Sequence, residues 1–138
     1  MRYVLAVLAL AGAVVSGLAL QVHYSTATEP CSINAHWDCG VVNHSPFAMM
    51  GHVPIAAIGI VGYLGLLALA FLRKKFLLLL MVFAAFCFAL RLTLIEEYVL
   101  EVWCLYCVIS QGIIALMLLG SLEWFTAEYR ALRKTAKG

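Results

Sequence analysis

The chain has 138 residues, of which 65% are hydrophobic and 12% are charged. This composition excludes a soluble globular protein of that size, and the length fits a single domain over residues 1–138. The formal net charge of +2 comes from basic residues at the ends of apolar runs, so it gives no indication of a nucleic-acid partner.

Four apolar runs are each long enough to cross a membrane, and they cover residues 3–22, 53–72, 76–95 and 104–124. A bilayer core of about 30 Å needs roughly 20 helical residues, because a helix rises about 1.5 Å per residue. The first run could be a signal peptide, but its apolar stretch exceeds the usual core of about 7–15 residues and no A-x-A site follows it. The runs predict an all-α integral membrane protein with four transmembrane helices.

Basic residues lie on one side of these predicted spans. All but one of the nine Lys and Arg residues fall there, at Arg2, Arg73, Lys74, Lys75, Arg130, Arg133, Lys134 and Lys137. The opposite connections, residues 23–52 and 96–103, contain no Lys or Arg. Because short cytoplasmic loops collect basic residues, both termini are predicted to be cytoplasmic. Two cysteine pairs then face an exoplasmic compartment, the periplasm or the ER lumen, where disulfides persist.

The first of these connections, residues 23–52, is the largest polar region of the chain. Its apolar side chains predict that it lies back on the membrane as a cap, with a short helix around residues 32–38 that Ser32 would begin. Cys31 and Cys39 form a C-x7-C pair there, which fits either a structural staple or a disulfide that exchanges with other thiols. His36, His44 and His52 in the same segment raise a zinc alternative, but the cysteine spacing does not fit a zinc site, and no metal is predicted.

Small residues form a stripe on the second predicted span. Gly59, Gly62 and Gly65 follow one another at three-residue steps. In lipid, such stripes let helices approach closely, so the stripe predicts helix packing, with close approach of a ligand as the alternative.

A C-x-x-C motif opens the fourth run. Cys104 and Cys107 lie at i and i+3, on one helix face and within reach of a disulfide. Unpaired N–H groups at the helix start stabilise the Cys104 thiolate. The alternatives are a structural disulfide, which would contribute little stability across so short a loop, and half of a zinc site. The motif favours a catalytic pair.

Together these motifs resemble the vitamin K epoxide reductase family. The resemblance rests on the stretch CSINAHWDCGVVNHSPFAMMGHVPIAAIGIVGYLG over residues 31–65, and on WCLYC at the start of the fourth run. The matching features are the C-x7-C pair, Ser45, the G-x-x-P-x-x-x-x-G spacing of Gly51, Pro54 and Gly59, Tyr63, and the C-x-x-C. The resemblance implies a four-helix bundle that encloses a quinone and is capped by the loop between the first two helices.

The resemblance also implies roles for the cysteines. Cys31 and Cys39 would be a shuttle pair that accepts electrons from a reduced partner. Cys39 would then attack Cys104 and release Cys107, which delivers electrons to the quinone. Ser45 would help to hold the cap.

Quinone contacts are implied at Cys107, Ile55, Gly59, Tyr63 and Gln111, and Tyr106 could join them because it lies between the two cysteines. Vertebrate members have a Tyr where this chain has Gln111, and an Asn where it has Ile55. The G-x-x-P start instead resembles stand-alone bacterial members. The implied quinone is of the ubiquinone, menaquinone or vitamin K type, and the implied location is a bacterial inner membrane.

The predicted function is that of a membrane thiol–quinone oxidoreductase that sustains disulfide formation. Its partner would be a separate thioredoxin-like (DsbA-like) thiol protein. One alternative is a vitamin K epoxide or quinone reductase. Another is a non-enzymatic membrane module braced by disulfides. A DsbB-like enzyme is excluded because there the C-x-x-C precedes the widely spaced pair, whereas here it follows.

Overall fold

Long apolar helices make up most of the protein, and the computed structural model describes residues 1–24 and 34–138. The helices are α1 (Arg2–Tyr24), α2 (Cys39–Asn43), α3 (Ile55–Phe71), α4 (Lys75–Ile95) and α5 (Leu105–Lys137). A 3-10 turn (Pro46–Ala48) and a short hairpin of β1 (Met49–Met50) and β2 (Val53–Pro54) connect α2 to α3, and a π-helical turn (Glu96–Leu100) follows α4.

Three of the helices are long and apolar enough to span a membrane. These are α1, α4 with its π-helical turn, and α5, whereas α3 has 17 residues and is shorter. Many large apolar side chains on these three helices are exposed, such as Val7, Phe83 and Leu119, as expected for surfaces that face lipid. The protein is therefore a helical membrane protein, as predicted.

The helix ends agree with the predicted runs except at the C-terminus. There α5 continues past residue 124 to Lys137 and reaches a length of about 50 Å. The extension is rich in Ala, Leu, Glu, Lys and Arg, which favour helix. It also contacts the start of α4, where Lys75 forms a 2.8 Å salt bridge with Glu128 and lies over the ring of Trp124.

The short helix predicted over residues 32–38 is wrong in its described part. Residues 34–38 are bent or extended, and the helix begins at Cys39 instead. The reason is the Asp38 side chain, whose carboxylate accepts hydrogen bonds from the N–H groups of Gly40 at 2.9 Å and Val41 at 3.3 Å. This is the usual way in which an aspartate starts a helix. Cys31 and Ser32 lie outside the described residues.

The bundle is built around close contact between α1 and α3. Helix α1 packs against both α3 and α5, and α4 packs against α5. A Cβ at Gly12 would overlap the ring of Tyr63, and one at Gly59 would lie 2.8 Å from the Ser16 hydroxyl. The prediction that the glycine stripe serves helix packing is therefore confirmed at Gly59. At Gly62, a Cβ would have no described atom within 4 Å apart from its chain neighbours and the nearby backbone of α3.

Candidate active site

The two cysteines of the C-x-x-C motif lie where the chain turns into α5. After the π-helical turn, Glu101 adopts a left-handed conformation (φ 55°) and Cys104 an extended one (φ −99°, ψ 120°). Cys104 is thus the residue that precedes the helix, and Cys107 lies in the first turn. Both are free thiols, and they interact with each other through a hydrogen bond, as their spacing predicts.

The segment before α2 pairs with the segment before α5. Trp103 donates its N–H to the carbonyl of His36 at 2.7 Å, and Asp38 donates its N–H to the carbonyl of Trp103 at 3.0 Å. Trp37 and Trp103 form a parallel bridge. Cys39 and Cys104 each follow one of these paired segments. Both are therefore fully buried in the same cluster, with Val22 and Val42. Cys39 is disulfide-bonded.

Asn43 connects these two cysteines. Its side-chain N–H group lies 2.9 Å from the carbonyl oxygen of Cys39 and 3.5 Å from the sulfur of Cys104. The backbone carbonyl oxygen of Asn43 is 2.6 Å from Nδ1 of His23, at the end of α1. Asn43 is buried, so these contacts fix the start of α5 against α2 and α1.

The hydrogen bond from the Cys107 side chain lowers the pKa of Cys104 below the usual value of a thiol. Burial and the charge of Glu96 act in the opposite direction, while the hydrogen bond from Asn43 supports the lowering. A thiol with a lowered pKa is the one that exchanges with disulfides. The geometry therefore makes Cys104 the more reactive member of the pair.

Glu96 is a site residue that the sequence pattern did not identify as functional. Its side chain is 3% exposed, although it is the first residue after α4. The N–H of Cys104 donates to its Oε2 at 3.2 Å, and its carboxyl interacts with the side chain of Cys107. The available signal was an acidic residue that ends an apolar run eight positions before the first cysteine of the motif.

A cavity of about 320 Å³ lies among helices α1, α3, α4 and α5, beside Cys107. Its lining is mostly apolar. Among the residues predicted to contact quinone or support the cap, those that line it are Ser45, Ile55, Gly59, Tyr63, Tyr106 and Cys107. Gln111 is not in the lining, and its buried Oε1 has no hydrogen-bond partner among the described residues.

Two polar side chains of this lining form hydrogen bonds with backbone carbonyl groups. The hydroxyl of Tyr63 donates to the carbonyl of Ser110 at 3.1 Å and lies 2.8 Å from its Oγ. The hydroxyl of Ser45 donates to the carbonyl of Val42 at 2.7 Å. Tyr63 therefore ties α3 to α5, and Ser45 holds the turn that follows α2.

Within residues 1–24 and 34–138, no group of three or more His, Cys, Asp or Glu side chains converges as a metal site would require. The remaining cysteine, Cys87, is an exposed free thiol on α4. It lies on a face of the bundle that the cavity does not reach.

The sequence model of the vitamin K epoxide reductase family matches residues 3–122. The match includes part or all of each helix, both cysteine pairs and the cavity lining, and it ends within α5. A search of curated proteins finds no match.

Proposed function

The chain belongs to the vitamin K epoxide reductase family, and we propose that it oxidises a separate thioredoxin-like (DsbA-like) protein and passes the electrons to a membrane quinone. Membership in the family implies a membrane thiol–quinone oxidoreductase. The observation that carries the proposal is the position of the Cys104–Cys107 thiols. On one side Cys104 packs with Cys39, and on the other Cys107 lines an apolar cavity.

The proposed electron path has two disulfide exchanges. The partner's dithiol reduces the disulfide of the Cys31–Cys39 pair and leaves as a disulfide. Cys39 then attacks Cys104 in the oxidised helix pair, forms a transient bond with it and releases Cys107. Cys31 attacks Cys39 in turn, which restores the Cys31–Cys39 disulfide and releases Cys104, so the helix pair is left as two thiols. The burial of Cys39 and Cys104 in one cluster supports the exchange between them, and the lowered pKa of Cys104 makes it the better leaving group in the last exchange.

The cavity fits a quinone ring in size and character. At about 320 Å³ it lies at the lower end of the range for small-molecule sites, about 300–1,000 Å³, and such sites are mostly apolar with a few polar groups. Ile55, Gly59 and Tyr106 would hold the ring, with Cys107 beside it. A bound quinone would supply a two-electron, two-proton acceptor.

The same cavity bears on the choice between a respiratory quinone and vitamin K epoxide. A site that recognises a polar head group does so with buried hydrogen-bonding groups. Without them, it discriminates much less between that head group and similar molecules. Here Ile55 offers an apolar side chain, and Gln111 is outside the lining. We therefore favour a respiratory quinone, with a vitamin K epoxide or quinone reductase as the alternative.

The proposal includes a placement in the membrane. All four long helices would cross a bacterial inner membrane, although α3 spans only about 26 Å, slightly less than a bilayer core. Both termini would be cytoplasmic, and the segment between α1 and α3 would cap the cavity on the exoplasmic side. Its hydrogen bonds to the start of α5 and the end of α1 support a cap.

The decisive experiment follows quinone reduction by the purified protein in lipid nanodiscs. Ubiquinone, menaquinone and vitamin K epoxide are offered in turn, with a reduced thioredoxin-like protein or dithiothreitol as the electron donor. We expect a respiratory quinone to be reduced with either donor. Cys107→Ala should abolish reduction, while Cys87→Ala, a matched control on the lipid-facing side, should leave it unchanged. A non-enzymatic module braced by disulfides would reduce nothing with any acceptor, and faster reduction of the epoxide would favour the alternative activity.

A further inference from the structure

The carboxyl group of Glu96 is buried beside the two thiols, and no Lys, Arg or His side chain among the described residues forms a salt bridge with it. Among the described residues the salt bridge that forms joins Lys75 to Glu128, at the other end of the bundle. Removing a carboxylate from water without a counter-charge is costly. A protein retains such a group where its proton can be exchanged, as at active sites.

The contacts of Glu96 point in two directions. Its Oε2 accepts the backbone N–H of Cys104 at 3.2 Å, and its carboxyl interacts with the Cys107 side chain. Glu96 also lines the cavity, as Cys107 does. A single carboxyl therefore touches the thiol that loses its proton on oxidation and the space in which the acceptor would gain one.

We propose that Glu96 is the proton carrier of the reaction: its carboxylate takes the proton of Cys107 as the disulfide forms, and then donates that proton to the bound quinone. The donation of this proton to quinone rests on the proposed function. It assigns a catalytic role to a residue that touches a reacting sulfur.

Electron and proton transfer accompany the formation of the Cys104–Cys107 disulfide. Cys104 reacts as a thiolate, having released its proton to exoplasmic water. As its sulfur bonds to that of Cys107, the Cys107 S–H bond breaks and an electron pair passes to the quinone. The quinone becomes a quinol by taking two protons, one from Cys107 by way of Glu96 and one from exoplasmic water. The thiol pair is oxidised by two electrons and the quinone is reduced by two.

Other titratable groups that line the cavity are less suited to this task. The hydroxyl of Tyr63 is bonded to Ser110, and Nδ1 of His23 lies against the carbonyl of Asn43. The titratable groups that act on Cys107 are Cys104 and Glu96. Because Cys104 is the sulfur partner in the new bond, Glu96 is the group left to receive the proton.

The first test compares Glu96→Gln with Glu97→Gln. The glutamine at 96 keeps the size of the side chain and an oxygen for the Cys104 N–H, but it cannot accept the proton. Glu97 is its exposed neighbour and serves as the matched control. With dithiothreitol as the donor, quinone reduction by Glu96→Gln should fall about 10²–10⁴-fold, the usual contribution of a positioned acid or base, while Cys104 alkylation is not slowed. Glu97→Gln should match the wild type, and Glu96→Asp should recover part of the rate.

An undiminished rate in Glu96→Gln would overturn the proposal. So would a rate for Glu96→Asp as low as that of Glu96→Gln, because a shorter side chain that can still exchange a proton should recover part of the rate. If the wild type itself reduces no quinone, the proposed function fails, and the next measurement still decides the transfer from Cys107 to Glu96.

The second test needs no quinone. The reduced protein is oxidised with ferricyanide, which takes up electrons but no protons, and an infrared difference spectrum is recorded between the two states. Proton transfer from Cys107 predicts a new carboxylic acid C=O band on oxidation, absent in Glu96→Gln and present in Glu97→Gln. A spectrum without that band, or a band that persists in Glu96→Gln, would show that Glu96 does not receive the proton.

Discussion

Asp38 donates its backbone N–H to the carbonyl oxygen of Trp103, with 3.0 Å between the two atoms. Each of these residues immediately precedes a cysteine, so the bond fixes Cys39 and Cys104 in one buried cluster. The pairing leaves the sulfur of Cys107 on the cavity side. Disulfide exchange between the start of α2 and the start of α5 should therefore pass through Cys39 and Cys104.

Removing Cys107 should trap that exchange. In Cys107→Ala, the Cys104 thiolate can attack the disulfide of Cys39, form a Cys39–Cys104 bond and expel the other sulfur as a thiolate. No thiol remains on α5 to resolve the new bond, so it should accumulate. Peptide mapping by mass spectrometry under non-reducing conditions would detect it, with Cys87→Ala as the control. Finding Cys104 free in the Cys107→Ala protein would mean that the two pairs do not communicate in this way.

Asn43→Ala should make Cys104 less reactive. The variant loses the hydrogen bond to the Cys104 sulfur, which supports the lowered pKa of that thiol. Its pKa should rise, so the thiolate fraction at neutral pH falls, and the difference should vanish at high pH where both proteins are ionised. The Asn43 hydrogen bond is the smallest contribution to this pKa, and a typical hydrogen bond contributes about 0.5–1.5 kcal/mol, so alkylation by iodoacetamide at pH 7 should slow by about two- to tenfold.

The measurement is site-resolved mass spectrometry of the alkylated protein across a pH series. His44→Ala is the matched control, because His44 is the exposed neighbour of Asn43. Equal alkylation profiles for Asn43→Ala and the wild type would contradict a role for Asn43 in tuning Cys104.

The long helices could be located from the sequence because an apolar run of this length has few other stable states in a membrane. The i, i+3 spacing likewise places Cys104 and Cys107 together. The start of α2 was mistaken because Asp38, rather than Ser32, supplies the capping oxygen. The burial of Glu96 depends on a π-helical turn and on the left-handed Glu101, local geometries that no residue pattern signals.

Narrowing the cavity should weaken quinone binding without affecting the thiols. Ala89 lines the cavity, whereas Ala84 is exposed on the same helix. In Ala89→Phe the larger side chain should cost about 1–3 kcal/mol of binding and raise the KM for quinone about five- to 150-fold. Ala84→Phe should behave like the wild type. Equal KM values for the two variants would argue against this cavity as the quinone site, provided that Cys104 alkylation is normal in both.

Side-specific labelling should place Glu97 and Thr135 on opposite sides of the membrane. Both are exposed, and the distribution of Lys and Arg predicts that the tail is cytoplasmic. In a background in which the native cysteines are replaced by serine, Glu97→Cys should react with a membrane-impermeant maleimide in intact spheroplasts. Thr135→Cys should react only after permeabilisation. The reverse pattern would invert the proposed topology.

Packing of α1 on α3 should depend on Gly12 in a way that Gly17 does not share. A Cβ at Gly12 would overlap the Tyr63 ring, whereas one at Gly17 would have no described atom within 4 Å apart from its chain neighbours and the nearby backbone of α1. Gly12→Ala must displace that ring and strain its hydrogen bonds to Ser110. Overpacking of this kind costs about 1–3 kcal/mol, so thermal unfolding in detergent should occur at a lower temperature.

Gly17→Ala, on the same helix, should unfold at the wild-type temperature or above it, because alanine favours helix over glycine by about 1 kcal/mol. The sharper test is a double-mutant cycle. In a Tyr63→Ala background the ring is gone, so Gly12→Ala should no longer destabilise the protein, even though Tyr63→Ala is itself costly. An undiminished penalty in that background would show that the contact between Gly12 and Tyr63 does not set the distance between α1 and α3.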